Sequence, residues 1–250
     1  MTQDFTDEHR TKLIAYLETH DLPSGLGDEH GACTLAAIRL AYDGQLNDEV
    51  IDCMSPVLGK AAMRLQDVMP DEMRNSARYK ALIPNMPGTG RELEAERLAV
   101  LMDWMWTVVL PQLQPIADNG GFGAEWRDMC ETKTPDAAKT AAYAADAART
   151  AAGAGAAADY ADYAARTAAR TAAYAVDAAD YAAADADYAA RTTAYAARTA
   201  AGAGAAADYA ADYAAADAAD YAAARRTFWE AVDPIGVLER MTYLEMNNAE

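Results

Sequence analysis

The sequence predicts an all-α protein: a multi-helix bundle with close-packed, Ala-rich antiparallel helices and no sheet. Three observations carry that expectation. Residues 136–224 contain 49 alanines and are otherwise written almost entirely in Asp, Tyr, Thr, Arg and Gly, and alanine is the best helix former because it has no side-chain entropy to lose. Within that tract Tyr160, Tyr174, Tyr181, Tyr188, Tyr195 and Tyr209 are all separated by multiples of seven, the heptad spacing of a helical seam. In the rest of the chain apolar residues recur at three-to-four spacing between Pro- and Gly-rich breaks. The expected organisation is a helical N-terminal part over 1–135, heptad-patterned Ala-rich helices over 136–224, and helices over 225–250 that pack back to complete one continuous body.

A first amphipathic helix is expected over 6–19, with Thr6 or Asp7 as N-cap and Leu13, Ile14 and Leu17 on one face. Pro23, Gly25, Gly27 and Gly31 then mark a loop before helical pattern resumes from Ala32 to Tyr42, where Asp43-Gly44 ends it. Asn47 or Asp48 is a candidate cap for the next segment, whose buried face is Val57, Leu58, Ala61, Ala62 and Leu65, and Pro70 stops it. A short helix is expected over 71–80. The run Ile83-Pro84-Asn85-Met86-Pro87-Gly88 cannot extend it, because each proline removes a donor and restricts its predecessor.

Thr89-Gly90-Arg91-Glu92 reads as a capping box. The helix it would start carries a stripe of Leu98, Leu101, Met105 and Val108, widened by Val100, Trp104 and Trp106, which makes it the candidate core helix. Pro111 and Pro115 kink or end it, Asp118-Asn119-Gly120-Gly121 is a loop, and 125–131 is a short helix bearing Trp126 and Met129. Thr134-Pro135 launches the alanine tract, with Thr134 placed to cap and Pro135 suited to the first helical position. Beyond the tract, 225–232 continues helically with Phe228 and Trp229 as anchors. A last helix after Pro234 has Ile235, Leu238, Met241 and Leu244 at helical spacing.

The tract has internal order. Thr150, Thr171, Thr192 and Thr199 occupy the heptad position four residues after the tyrosine position. The segment RTAAGAGAAADYA at 149–161 recurs identically at 198–210, an offset of 49 residues. Gly153 and Gly202 fall in the tyrosine position, and each is either a notch where another helix crosses or part of a turn. An unbroken helix from Ala156 to Ala201 would be about 69 Å long, against a radius of gyration of about 18 Å for a compact chain of this size. A turn is therefore expected inside it, placed at 182–187. Tyrosines every seven residues reject a pentapeptide-repeat solenoid, which needs its apolar residue every five.

Few residue groupings suggest chemistry. His30 and Cys33 lie one helical turn apart with His20 and Asp28 near in sequence, but three histidines in the whole chain make a poor ligand set, and capping and packing explain them better. Pro87-Gly88-Thr89-Gly90-Arg91 lacks the spacing and lysine of a phosphate-binding loop. Trp104 and Trp106 read as core. No cofactor, metal or catalytic residue is expected. The tyrosine row reads either as packing layers or, facing outward, as a protein-binding face made of Tyr160, Tyr174, Tyr181, Tyr188, Tyr195 and Tyr209 with Asp180, Asp187 and Asp208.

Net charge is −18, about −10 of it over 1–135 and −6 over 136–224, and no segment is basic. Phosphate neutralisation has no surface to work from, so direct nucleic-acid binding is not expected, whereas a basic protein partner is. Cys33, Cys53 and Cys130 are odd in number and lack a CxxC spacing, which suits a reducing compartment. With no long uncharged apolar run and an acidic start, the expectation is a cytoplasmic protein without membrane association.

The Trp-bearing helical first part, the segment Trp126-Arg127-Asp128-Met129-Cys130, the Ala-rich tract and the closing Phe228-Trp229 with Val237-Leu238-Glu239-Arg240 together resemble Ala-rich, all-helical proteins of bacteria and their phages. Some of those are labelled immunity proteins, which neutralise toxins. The resemblance and the charge imply a non-enzymatic acidic binding protein, an immunity or inhibitor protein that covers a basic surface. The alternative is a structural or self-assembling helical module. Ice binding is ill served by projecting tyrosines, and an enzyme would need an organised cleft within residues 20–90.

Overall fold

The computed structural model describes residues 4–28, 30–152 and 226–244, which are mostly helical. Their contacts group into two units, residues 1–100 with 234–250, and residues 101–233.

In the first unit, α1 (Asp7–Thr19) starts at the N-cap Thr6 and buries Leu13 and Leu17. Ile14, expected beside them, is 43% exposed; it lies about 100° round the helix from Leu13, off the line that faces the core. Helix α1 packs on α2 (Thr34–Tyr42), which ends at Asp43 with Gly44 at φ +76°. Between them the expectation of no sheet fails, since β1 (Gly27–Asp28) and β2 (Gly31–Ala32) pair antiparallel in a hairpin. Two-residue strands are too short to leave a periodic trace. Glycine permits the pairing, because Gly27 has φ +87° and a Cβ on Gly31 would sit 2.6 Å from the Asp21 carbonyl oxygen.

Helix α3 (Pro56–Val68) buries Val57, Leu58, Ala61, Ala62 and Leu65 as the spacing predicts. Its cap is Ser55, not Asn47 or Asp48; Asn47 instead accepts the Glu49 amide in a local turn at 3.1 Å. The helix expected over 71–80 is two, α4 (Asp71–Arg74) and α5 (Ala77–Leu82), because Ser76 accepts the Tyr79 amide and begins a new helix. A 3₁₀ turn, Ile83–Asn85, follows. Thr89 forms no capping box. Its hydroxyl accepts the Ser55 amide at 3.1 Å and donates to the Met86 carbonyl at 2.8 Å, and α6 (Glu94–Trp104) begins later. Glu94 on α6 serves α3, accepting from the Ser55 hydroxyl and, at 3.0 Å, from the Val57 amide.

The second unit starts at Leu101 within α6, which runs into a π turn, Met105–Val109, then a 3₁₀ turn, Leu110–Leu113, then α7 (Gln114–Asn119). Pro111 and Pro115 therefore change the pitch without ending the helical path. The π turn takes an extra residue per turn, which moves the apolar stripe: Val109 is fully buried, whereas Val108 is only half-buried. Helix α8 (Gly123–Thr132) buries Trp126, whose indole donates to the Leu110 carbonyl at 3.0 Å. Lys133 turns the chain in the left-handed region, Thr134 accepts the Ala137 amide at 3.3 Å, and α9 (Pro135–Ala152) packs back on α8. Residues 226–232 are helical, with Phe228 and Trp229 buried, and Trp104 donates to the Val232 carbonyl at 2.6 Å.

Helix α10 (Pro234–Thr242) belongs to the first unit and packs on α3 and α5 through Ile235, Leu238 and Met241. Arg97, fully buried, donates to the carbonyls of Met241, Thr89 and Gly90 at 3.1, 2.7 and 3.3 Å. Arg78 grips the Glu239 carboxylate at 2.9 and 2.6 Å.

Candidate functional site

A shallow depression of about 480 Å³ lies in the first unit. The segment after α1 supplies Asp21 to Ser24, the hairpin supplies Gly27, Asp28, His30 and Gly31, and α4 with its C-cap supplies Asp71, Arg74 and Asn75.

Polar side chains, several of them buried, hold this segment by its backbone. The Leu22 amide donates to Asn75 Oδ1 at 2.7 Å, and the Leu22 carbonyl accepts from Arg74 Nε at 3.0 Å. Gln66 Nε2 donates to the Pro23 carbonyl while its Oε1 accepts the Thr34 amide, both at 2.6 Å. The Thr34 hydroxyl meets Tyr79 Oη at 2.8 Å. Asp67 accepts the Gly25 amide at 2.8 Å, and Lys80 donates to the His20 carbonyl at 2.9 Å. Burial pushes the Tyr79 phenol well above its ordinary range, so it stays neutral in this network.

The charges around the depression divide by sign. Arg74 turns inward: its side chain is 10% exposed, with donors spent on the Leu22 and Met69 carbonyls and on Asp71. Asp21 and Asp71 are 86% and 81% exposed at the side chain, and Asp28 is exposed on the hairpin. The rim therefore carries exposed carboxylates, of which Asp71 is paired with Arg74 and Asp21 lies 3.4 Å from Lys80 Nζ.

The histidines and cysteines have separate local roles. Cys33 is the N-cap of α2, its Sγ accepting the Ala36 amide at 3.5 Å, and burial pushes its thiol up. A neutral, buried thiol is a poor nucleophile. His20 stacks on Tyr16 at 4.2 Å, and His30 is exposed on the hairpin. Among the described residues, no three His, Cys, Asp or Glu side chains come together as a metal-binding group. The depression falls within residues 20–90, where an enzyme would need an organised cleft, and His30 is in its lining. In the Pro87–Arg91 segment, the Gly88 and Gly90 amides both point at the Cys53 carbonyl, at 2.9 and 3.1 Å.

Tyr160, Tyr174, Tyr181, Tyr188, Tyr195 and Tyr209, with Asp180, Asp187 and Asp208, lie outside the described residues, as do Gly153, Gly202 and the turn expected at 182–187. The part of the tract that is described, α9, has a definite inside and outside. Ala138, Ala141 and Ala142 are buried, whereas Asp136, Lys139 and Thr140 are exposed and Tyr143 is 76% exposed. Tyr143 stands one heptad before Thr150, and Lys139 stands in the tyrosine phase, so at these described positions both seam phases face outward while the buried residues are alanines. Sequence reasoning missed Gln66, Arg74, Asn75 and Glu94; none recurs in a motif, and their roles arise from contacts distant along the chain. Among the described residues no helix is long and apolar enough to cross a membrane.

Compared with known protein families, characterised proteins and solved structures, the chain matches none.

Proposed function

We propose that this chain is a non-enzymatic acidic binding protein of the immunity or inhibitor kind, which covers a basic surface on a protein partner. The observation that carries the reading is the sorting of charge at the depression. Arg74 is drawn into the framework, while Asp21, Asp28 and Asp71 stand at the rim of a chain whose net charge is −18. Such a field steers a cationic partner and repels anionic ones. Separately, within the second unit, the outward Tyr143 with Asp136 and Lys139 on the same face of α9 is of the residue type most useful for burying area at low entropic cost.

Immobilised full-length chain should retain one stoichiometric protein of basic isoelectric point. Raising salt from about 0.05 to 0.5 M should release it, because the Debye length shrinks several-fold over that range. Neutralising the rim with Asp21→Asn, Asp28→Asn and Asp71→Asn together should weaken retention at least tenfold. Retention indifferent to salt and to this triple substitution would sink the proposal. Sedimentation of the chain alone separates it from self-assembly, which requires an oligomer at tens of micromolar.

A further inference from the structure

The first turn of α1 is closed by an unusual capping box. The Thr6 hydroxyl accepts the His9 amide at 3.4 Å, and His9 Nδ1 accepts the Thr6 amide at 3.1 Å, the place where Glu or Gln ordinarily stands. Because the donor is a backbone N–H, Nδ1 must carry a lone pair, which fixes the imidazole as the neutral tautomer protonated at Nε2. The ring is buried, and its centroid lies 5.5 Å from Phe5 and 5.3 Å, edge-on, from Tyr42 of α2, while Phe5 stacks on Tyr42 at 6.2 Å.

We infer that His9 is an acid-labile latch on the start of α1: protonating Nδ1 removes the acceptor for the Thr6 amide and opens the first helical turn together with the Phe5–Tyr42 contact. Two effects act in one direction. The imidazolium has no lone pair to offer, and a positive charge in the first turn opposes the helix dipole. Glu8, paired with Lys12, is the carboxylate on the same helix that interacts with His9, and Asp7 precedes it. On the side of Tyr42 lie Arg39 and Asp43 of α2, joined in an ion pair, with Asp52 and Cys53 from the segment before α3. The 3₁₀ turn that also meets α1 carries no charged side chain and binds Arg10 through the Pro84 carbonyl. Leu13 and Leu17 keep the rest of α1 seated, so opening is confined to the first turn.

The test uses the full chain labelled with ¹⁵N. Amide protection factors, normalised to unstructured exchange at each pH, would be measured from about pH 8 to about pH 5, the interval over which histidines change charge. Thr6 and His9 amides should lose protection by about fivefold, the typical effect of losing a cap, while Leu13 and Leu17 amides hold theirs. His9→Gln restores the ordinary capping-box residue, whose amide oxygen accepts at any of these pH values, and should keep Thr6 protected throughout. Constant Thr6 protection in the parent chain, or an equal loss in His9→Gln, would overturn the inference.

Discussion

Arg97 shows how much of the first unit rests on single buried polar residues. Its guanidinium joins the carbonyls of Thr89 and Gly90 to that of Met241 on α10, with Glu94 at 3.6 Å as its nearest carboxylate. Arg97→Met preserves most of the side-chain volume but removes the guanidinium donor from three carbonyls, and should cost about 3 kcal/mol, read as a lower urea midpoint. Cys130 makes a second prediction at this scale. Burial pushes its thiol up to about 11, against about 8.5 for a free cysteine. The folded value is the higher one, so the stability it contributes is complete below about pH 8.5 and is lost as pH rises towards 11. Alkylation at pH 8 followed by peptide mapping should leave Cys130 unmodified in the native protein and modified after denaturation. None of this could be read along the chain. Arg97 looked like any charged residue on an amphipathic helix, and the hydrogen bonds that define it come from segments far away in sequence.

At the scale of elements, the alanine helix α9 makes the sharpest case. The heptad pattern made Tyr and Thr the seam, yet α9 buries Ala138, Ala141 and Ala142 and turns Tyr143 outward. Alanine faces let two backbones approach closely, so the small residues, not the large ones, make the layer. Ala141→Leu should therefore overpack the α8–α9 contact and lower the thermal midpoint by an amount equivalent to about 1–3 kcal/mol. Tyr143→Ala should stay within about 0.5 kcal/mol of the parent in the same melt. Several helices were legible, from the start of α1 at Thr6 to Thr134-Pro135 opening α9, but α7 (Gln114–Asn119) runs through Asp118-Asn119, which the sequence marked as loop. Helix starts that depend on a partner were not. Ser55 rather than Asn47 caps α3 because Glu94 arrives from α6 to share the work, and Thr89 is drawn away from its own helix by the Ser55 amide. The shift from Val108 to Val109 follows from one π turn, which no periodic template contains.

For the molecule as a whole, charge decides its behaviour in solution. The net charge of −18 at neutral pH sets copies of the chain repelling one another electrostatically, and it vanishes near the sequence isoelectric point of about 4.4. Light scattering during a slow acid titration should show association rising sharply as pH approaches that value, and reversal on return to neutrality. The helical class, the breaks and the acidic field were determined by composition and spacing, because helix propensity, proline geometry and net charge are local or additive properties. Tertiary structure decided which residues those local signals serve. It chose alanine over tyrosine as the packing layer of α9, and it spent Gln66, Arg74 and Asn75 on holding one loop while leaving Asp21, Asp28 and Asp71 at its rim. It made two-residue strands where no periodicity existed. Each of these depends on which backbone groups are left without a partner once the chain has folded, a condition that is not defined until distant segments meet.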